Sequence, residues 1–146
     1  MLSKNVKLTL IITYVAIALV VVLAVALHWI LNWYATIRVL LFAERRAVFL
    51  GYLCSLPLIL LALLRVTGLL KNIQRGSVFV EENVRHLAII RSCCLGIFAV
   101  CLAASFLFLP LLLVVAIMGF LSLMMQVLKQ VMEQAVSIRE ENDLTV

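Results

Sequence analysis

Charge is what this sequence has least of. Asp, Glu, Lys and Arg make up 13% of its 146 residues, where a soluble domain carries about a quarter. Residues of apolar type reach 66%, and the mean hydropathy is +1.25. One domain of this size cannot bury that much hydrocarbon within itself. The composition is equally remote from the polar, charged make-up of a disordered chain. A membrane protein is what remains. Catalytic signatures are missing too. There is no phosphate-cradling glycine loop, no nucleophile with a base in reach, and no Gly-x-x-x-Gly. These absences argue against an enzyme and imply no cofactor.

Four cysteines are present, but no Cys-x-x-Cys. Cys93 and Cys94 are adjacent, Cys101 lies two helical turns further on, and Cys54 stands alone. All four fall inside apolar runs, where small polarizable side chains serve packing. No His or carboxylate joins them there, so they offer no metal site. The runs themselves hold no Asp, Glu, Lys or Arg. An ion-coupled transporter of this size, such as a small multidrug exporter, needs such a group within the bilayer.

What the sequence does contain is long apolar runs. A helix needs about 20 apolar residues to cross a hydrocarbon core of about 30 Å. One run begins at Leu8, and its purest part is Leu8–Leu27. A second occupies Ala47–Leu64. A third, Ser92–Leu128, would make about 55 Å of helix, too long for one crossing. Pro110 lies near its middle and marks a reversal around Phe108–Leu111. The expected fold is therefore all-α: a polytopic membrane protein built as a four-transmembrane-helix bundle. Its spans are about 8–28, 47–64, 92–109 and 111–128. They form a single membrane domain with a loop over 65–91 and a helical tail over 129–146. Strict apolar–polar alternation is missing, which excludes a β-barrel. Lys4 and Lys7 ahead of the first run, with Ala24-Val25-Ala26 within it, have a signal-peptide look. The apolar stretch continues past that point, so an uncleaved first span is expected.

Lys4, Lys7, Arg65, Lys71, Arg75, Arg85, Arg91, Lys129 and Arg139 would share one face, and Arg38, Arg45 and Arg46 the other. The positive-inside bias puts both termini in the cytoplasm. The net +5 then serves topology and contact with anionic lipid. Basic–aromatic interleaving is lacking, so direct nucleic-acid binding is not expected.

Outside the spans, Trp29 and Trp33 lie four apart with Tyr34 beside them, as interfacial anchors do. Glu44, Arg45 and Arg46 form a solvated end before the second span. In the 65–91 loop, Gly68, Gly76 and Ser77 are breaks, and Leu69, Leu70 and Ile73 make a short amphipathic turn. A helix opens after Val80, with Glu81 and Glu82 in its first turn. Glu81 is spaced to pair with Arg85, and Val84, Leu87 and Ala88 mark the buried side. In the tail, Leu128, Val131, Met132, Ala135 and Ile138 form one apolar stripe, with Glu133 and Arg139 facing away. The acidic end, Glu140, Glu141 and Asp143, is expected to be drawn to the basic loop.

Two stretches carry a resemblance. Gly76-Ser77-Val78-Phe79-Val80-Glu81-Glu82-Asn83-Val84-Arg85-His86-Leu87 is similar to the pattern G-x-x-F-x-x-x-N-V-x-x-L. Arg139-Glu140-Glu141-Asn142-Asp143-Leu144-Thr145-Val146 is similar to a closing E-x-D-L-T-[IV]. Together they resemble the domain of unknown function 2975 family of small bacterial membrane proteins. Val80 departs from the serine often found there, which would cap the helix. The resemblance implies a protein of the bacterial cytoplasmic membrane, with no established activity, that partners a small helix-turn-helix regulator. The candidate docking residues are Phe79, Asn83, Val84, Leu87, Glu140, Glu141, Asp143 and Leu144. The partners expected are the lipid bilayer, that regulator, and a second copy in a homo-oligomer. The alternative role is a small transport, immunity or pore-forming component acting as an oligomer.

Overall fold

A computed structural model describes residues 2–37, 39 and 41–144, apart from the side chains of Leu2 and Ser3. Arg38, Thr145 and Val146, which figured in the expectations above, lie outside the described residues. Four helices follow in order: α1 (Leu2–Ile37), α2 (Phe42–Gln74), α3 (Glu81–Ser105) and α4 (Leu111–Leu144). All four are long and apolar enough to cross a membrane. This is the all-α, four-span architecture expected. Helices are the form in which a chain can satisfy its backbone hydrogen bonds within each segment in lipid.

Each helix packs against its neighbour in the chain: α1 on α2, α2 on α3 and α3 on α4. Among the described residues, α1 meets no other helix. The helices therefore stand in a row, with α3 the best covered. Its buried positions Ile90, Cys93, Ile97 and Cys101 recur every three or four residues, the spacing of one helical face. Ile97 and Cys101 form a core with Val115 of α4, backed by Leu58 and Ile59 of α2. Most other large side chains of the spans point outward, where lipid replaces a protein partner.

Neighbouring helices run antiparallel in a tight register. A Cβ on Gly68 would stand 3.0 Å from the His86 ring, and one on Gly96 would stand 2.8 Å from Leu58. Both contacts join α2 to α3. Across α3 and α4, Gly119 meets Phe98, and Arg91 donates to Gln126. Between α1 and α2, the Tyr52 hydroxyl donates to the Val20 carbonyl at 3.1 Å. At the far end of the same pair, Arg45 donates to Asn32. The start of α1, the end of α2, the start of α3 and the end of α4 thus share one end of the molecule. That end carries the larger set of basic residues.

The reversal near Pro110 occurs where expected, between Ser105 and Leu111. Pro57, by contrast, lies inside α2 without ending it. It is exposed, and transmembrane helices tolerate such a proline where neighbouring groups satisfy the freed carbonyl. The helices also overrun the expected span limits. Glu44, Arg45 and Arg46 lie within the first turns of α2 and not ahead of it. There, the Glu44 carboxylate accepts from the Leu41 N–H at 3.0 Å. Most of the expected 65–91 loop is helix too: α2 continues to Gln74, and the connection shrinks to residues 75–80. Gly68, read as a break, is a packing position inside α2 that admits the His86 ring.

Candidate functional site

The functional candidates gather at the basic end, where α2, α3 and α4 run on beyond their apolar spans. Gly76 ends α2. Its φ of 82° is the left-handed conformation that glycine adopts without a Cβ clash. Ser77 N–H reaches the Asn72 carbonyl at 2.9 Å, and Gly76 N–H reaches that of Ile73 at 3.0 Å. This pair of bonds is a Schellman closure, which satisfies carbonyls left free at a helix end.

Val80 then caps α3 from an extended conformation (φ −126°, ψ 149°) without a side-chain hydrogen bond. Asn83 anchors this junction from the inside. Its side chain is 0% exposed. Nδ2 donates to the carbonyls of Ser77 at 2.9 Å and Val78 at 2.7 Å. Oδ1 accepts from Asn72 Nδ2 at 2.9 Å. One carboxamide therefore holds the last turn of α2, the connection and the first turn of α3 together. The polar contact on this turn is Glu82 with His86, at 3.7 Å. The expected Glu81–Arg85 pair is not among the ion pairs of the described residues.

The tail of α4 packs back onto this junction. A cavity of about 200 Å³ lies between Leu69 and Ile73 of α2, Leu87 of α3, and the stripe Leu128, Val131, Met132 and Ala135. Phe79 closes one side of it. On the other side of Phe79 is a cleft of about 490 Å³, lined by Ala135, Ile138, Arg139, Asn142 and Asp143. Arg139, expected to face away, instead donates from Nη1 to the Phe79 carbonyl at 3.3 Å. The tail thus meets the connection through its basic residue. Glu133 pairs within its own helix, with Lys129 at 3.5 Å.

These positions divide the docking candidates into two groups. Asn83, Val84 and Leu87 are buried and act in holding the junction. Phe79 is 48% exposed, and Glu140, Glu141, Asp143 and Leu144 are exposed on the tail. Val131 and Ile138 add exposed apolar surface beside them. Sequence reasoning missed Asn72, which completes the Asn83 network, and the Gly68–His86 contact. The i, i+4 and i, i+7 spacing of Asn83 with Leu87 and Ile90 was the available sign that Asn83 points inward. At the opposite end, Trp29 and Trp33 are exposed on α1, with Tyr34 beside them.

A row of apolar spans with a polar helical extension at one end defines a multi-pass membrane protein rather than a soluble bundle. The chain belongs to the family described as Protein of unknown function (DUF2975), whose model matches residues 23–146. No curated protein and no solved structure matches it.

Proposed function

We propose that the protein is a membrane-embedded regulatory or scaffolding partner, and that its basic end docks a small cytoplasmic helix-turn-helix regulator. The observation that carries this reading is Phe79. It stands half exposed between two clefts, on a connection fixed by the Asn83 network. Rigid placement of an aromatic anchor is what a docking face requires, because little ordering entropy is then lost on binding. The clefts offer apolar contact from Ala135 and Ile138 and polar contact from Arg139 and Asp143. Glu140, Asp143 and Leu144 extend the same face. In this reading Asn83, Val84 and Leu87 support the surface and do not touch the partner.

The concentration of Lys and Arg at this end supports its placement on the cytoplasmic side of a bacterial cell membrane. The test is capture of a small helix-turn-helix regulator, from a lysate mixed with solubilised membranes, by the tagged full-length chain. Phe79→Ala and removal of residues 138–146 should each abolish capture while membrane insertion persists. Undiminished capture by both variants would sink the proposal.

A further inference from the structure

Several hydroxyls of the spans bond to their own helix. Thr9, Thr13 and Ser105 donate to backbone carbonyls three or four residues earlier. Ser122 departs from this pattern, as Ser55 of α2 does. It is 6% exposed, and its Oγ is buried without a hydrogen-bond partner. It lines a groove of about 420 Å³ between α3 and α4.

The groove is graded along its length. Arg91 and Gln126 form one end, and Arg91 donates to Gln126 from Nη1. Its Nε is buried and has no partner, so the guanidinium retains donor capacity at this end. Ser122 follows one turn deeper. Beyond it the walls are apolar: Leu95 and Phe98 on α3, with Leu123 on α4. Gly119 forms the floor and packs against the Phe98 ring, which a Cβ there would meet at 3.3 Å. From Arg91 to Phe98 the groove extends about 10 Å along the helix axis.

Arg91 is the last charged residue before the Ser92–Leu128 apolar stretch. The polar end therefore lies at the edge of the hydrocarbon, and the apolar part runs inward from it. That polarity matches one class of molecule present throughout a membrane. A phospholipid carries its phosphate at the interface and its acyl chains inward. Guanidinium is the side-chain group best suited to a phosphodiester. Basic pockets between spans bind anionic headgroups on the same principle.

We propose that the α3–α4 groove is a binding site for an anionic phospholipid. The phosphate sits at Arg91 beside Gln126, and one acyl chain lies along Phe98 and over Gly119. Ser122 donates to an ester or phosphate oxygen of the bound lipid. The site is independent of the docking face around Phe79.

The experiment is native mass spectrometry of the full-length protein in detergent, titrated with phosphatidylglycerol or phosphatidylcholine. Retention of phosphatidylglycerol should exceed that of phosphatidylcholine by about fivefold, as expected for one basic contact near the surface. Arg91→Gln should remove the preference. Lys129→Gln, one turn beyond Gln126 on α4 and outside the groove, should keep it. Gly119→Leu should lower retention of both lipids by placing a side chain in the groove. Circular dichroism reports whether each variant folds. If Gly119→Leu does not, Arg91→Gln against Lys129→Gln decides alone. Equal retention of the two lipids overturns the proposal, as does equal loss in the Arg91 and Lys129 variants. Displacement of the lipid by millimolar glycerol phosphate also overturns it, because the groove would then recognise a free anion.

Discussion

Asn83 shows how one side chain can set the shape of a junction. Its carboxamide uses both donor hydrogens and its acceptor on three separate partners. Asn83→Ala leaves two loop carbonyls and Asn72 without those bonds. An unsatisfied buried polar group costs about 1–3 kcal/mol, and the variant should lose at least that much. The unfolding midpoint in a denaturant titration of the detergent-solubilised protein measures it. An unchanged midpoint would show that water replaces the carboxamide without cost. Val80 is a change in the opposite direction. It occupies the cap of α3 with no oxygen to offer the first turn. Val80→Ser should stabilise the protein by about 0.5–2 kcal/mol in the same titration. The sequence comparison with the related pattern already marked this position. Spacing with Leu87 and Ile90 put Asn83 on the buried face, but its partners there, two carbonyls of the connection and the Asn72 side chain, were not legible.

Among the elements, α2 repays the closest comparison of sequence with structure. Its apolar span was legible from the charge-free run Ala47–Leu64, but its ends were not. Arg65 and Lys71 interrupt the apolar run without interrupting the helix, since long charged side chains extend past apolar surface to solvent. Glycine gave opposite signals at two positions. Gly68 stays helical because its missing Cβ is filled by the His86 ring, a contact made by a residue eighteen positions later. Gly76 ends the helix because its φ is positive. A single sequence does not separate these cases; the tertiary contact does. Gly76→Ala should cost about 1–2 kcal/mol, since an L-residue is forced into the left-handed region. Hydrogen exchange should show faster opening of the Gly76 and Ser77 amides, whose bonds close α2. The two prolines differ in the same way. Pro110 coincides with a turn, whereas Pro57 lies inside α2 without ending it.

At the scale of the whole molecule, the row of helices is the feature that composition could not supply. The number of spans follows from hydrophobic length, but their neighbours depend on which side chains meet. Tyr52 with Val20 joins α1 to α2, and Arg91 with Gln126 joins α3 to α4. In a background without native cysteines, a bifunctional thiol reagent should bridge a cysteine pair at Val20 and Tyr52 within one chain. A pair joining α1 to α4 should not be bridged. An intramolecular α1–α4 cross-link would mean that the row closes on itself. The row also governs how the protein is made. Every helix packs on the one synthesised just before it, so contacts are of the hairpin kind and sequence separation stays low. The shared core, where Leu58 and Ile59 of α2 back Ile97, Cys101 and Val115, is completed when the last span arrives. The chain can assemble in the order in which it leaves the ribosome, with few opportunities for the misdocking that burdens larger folds.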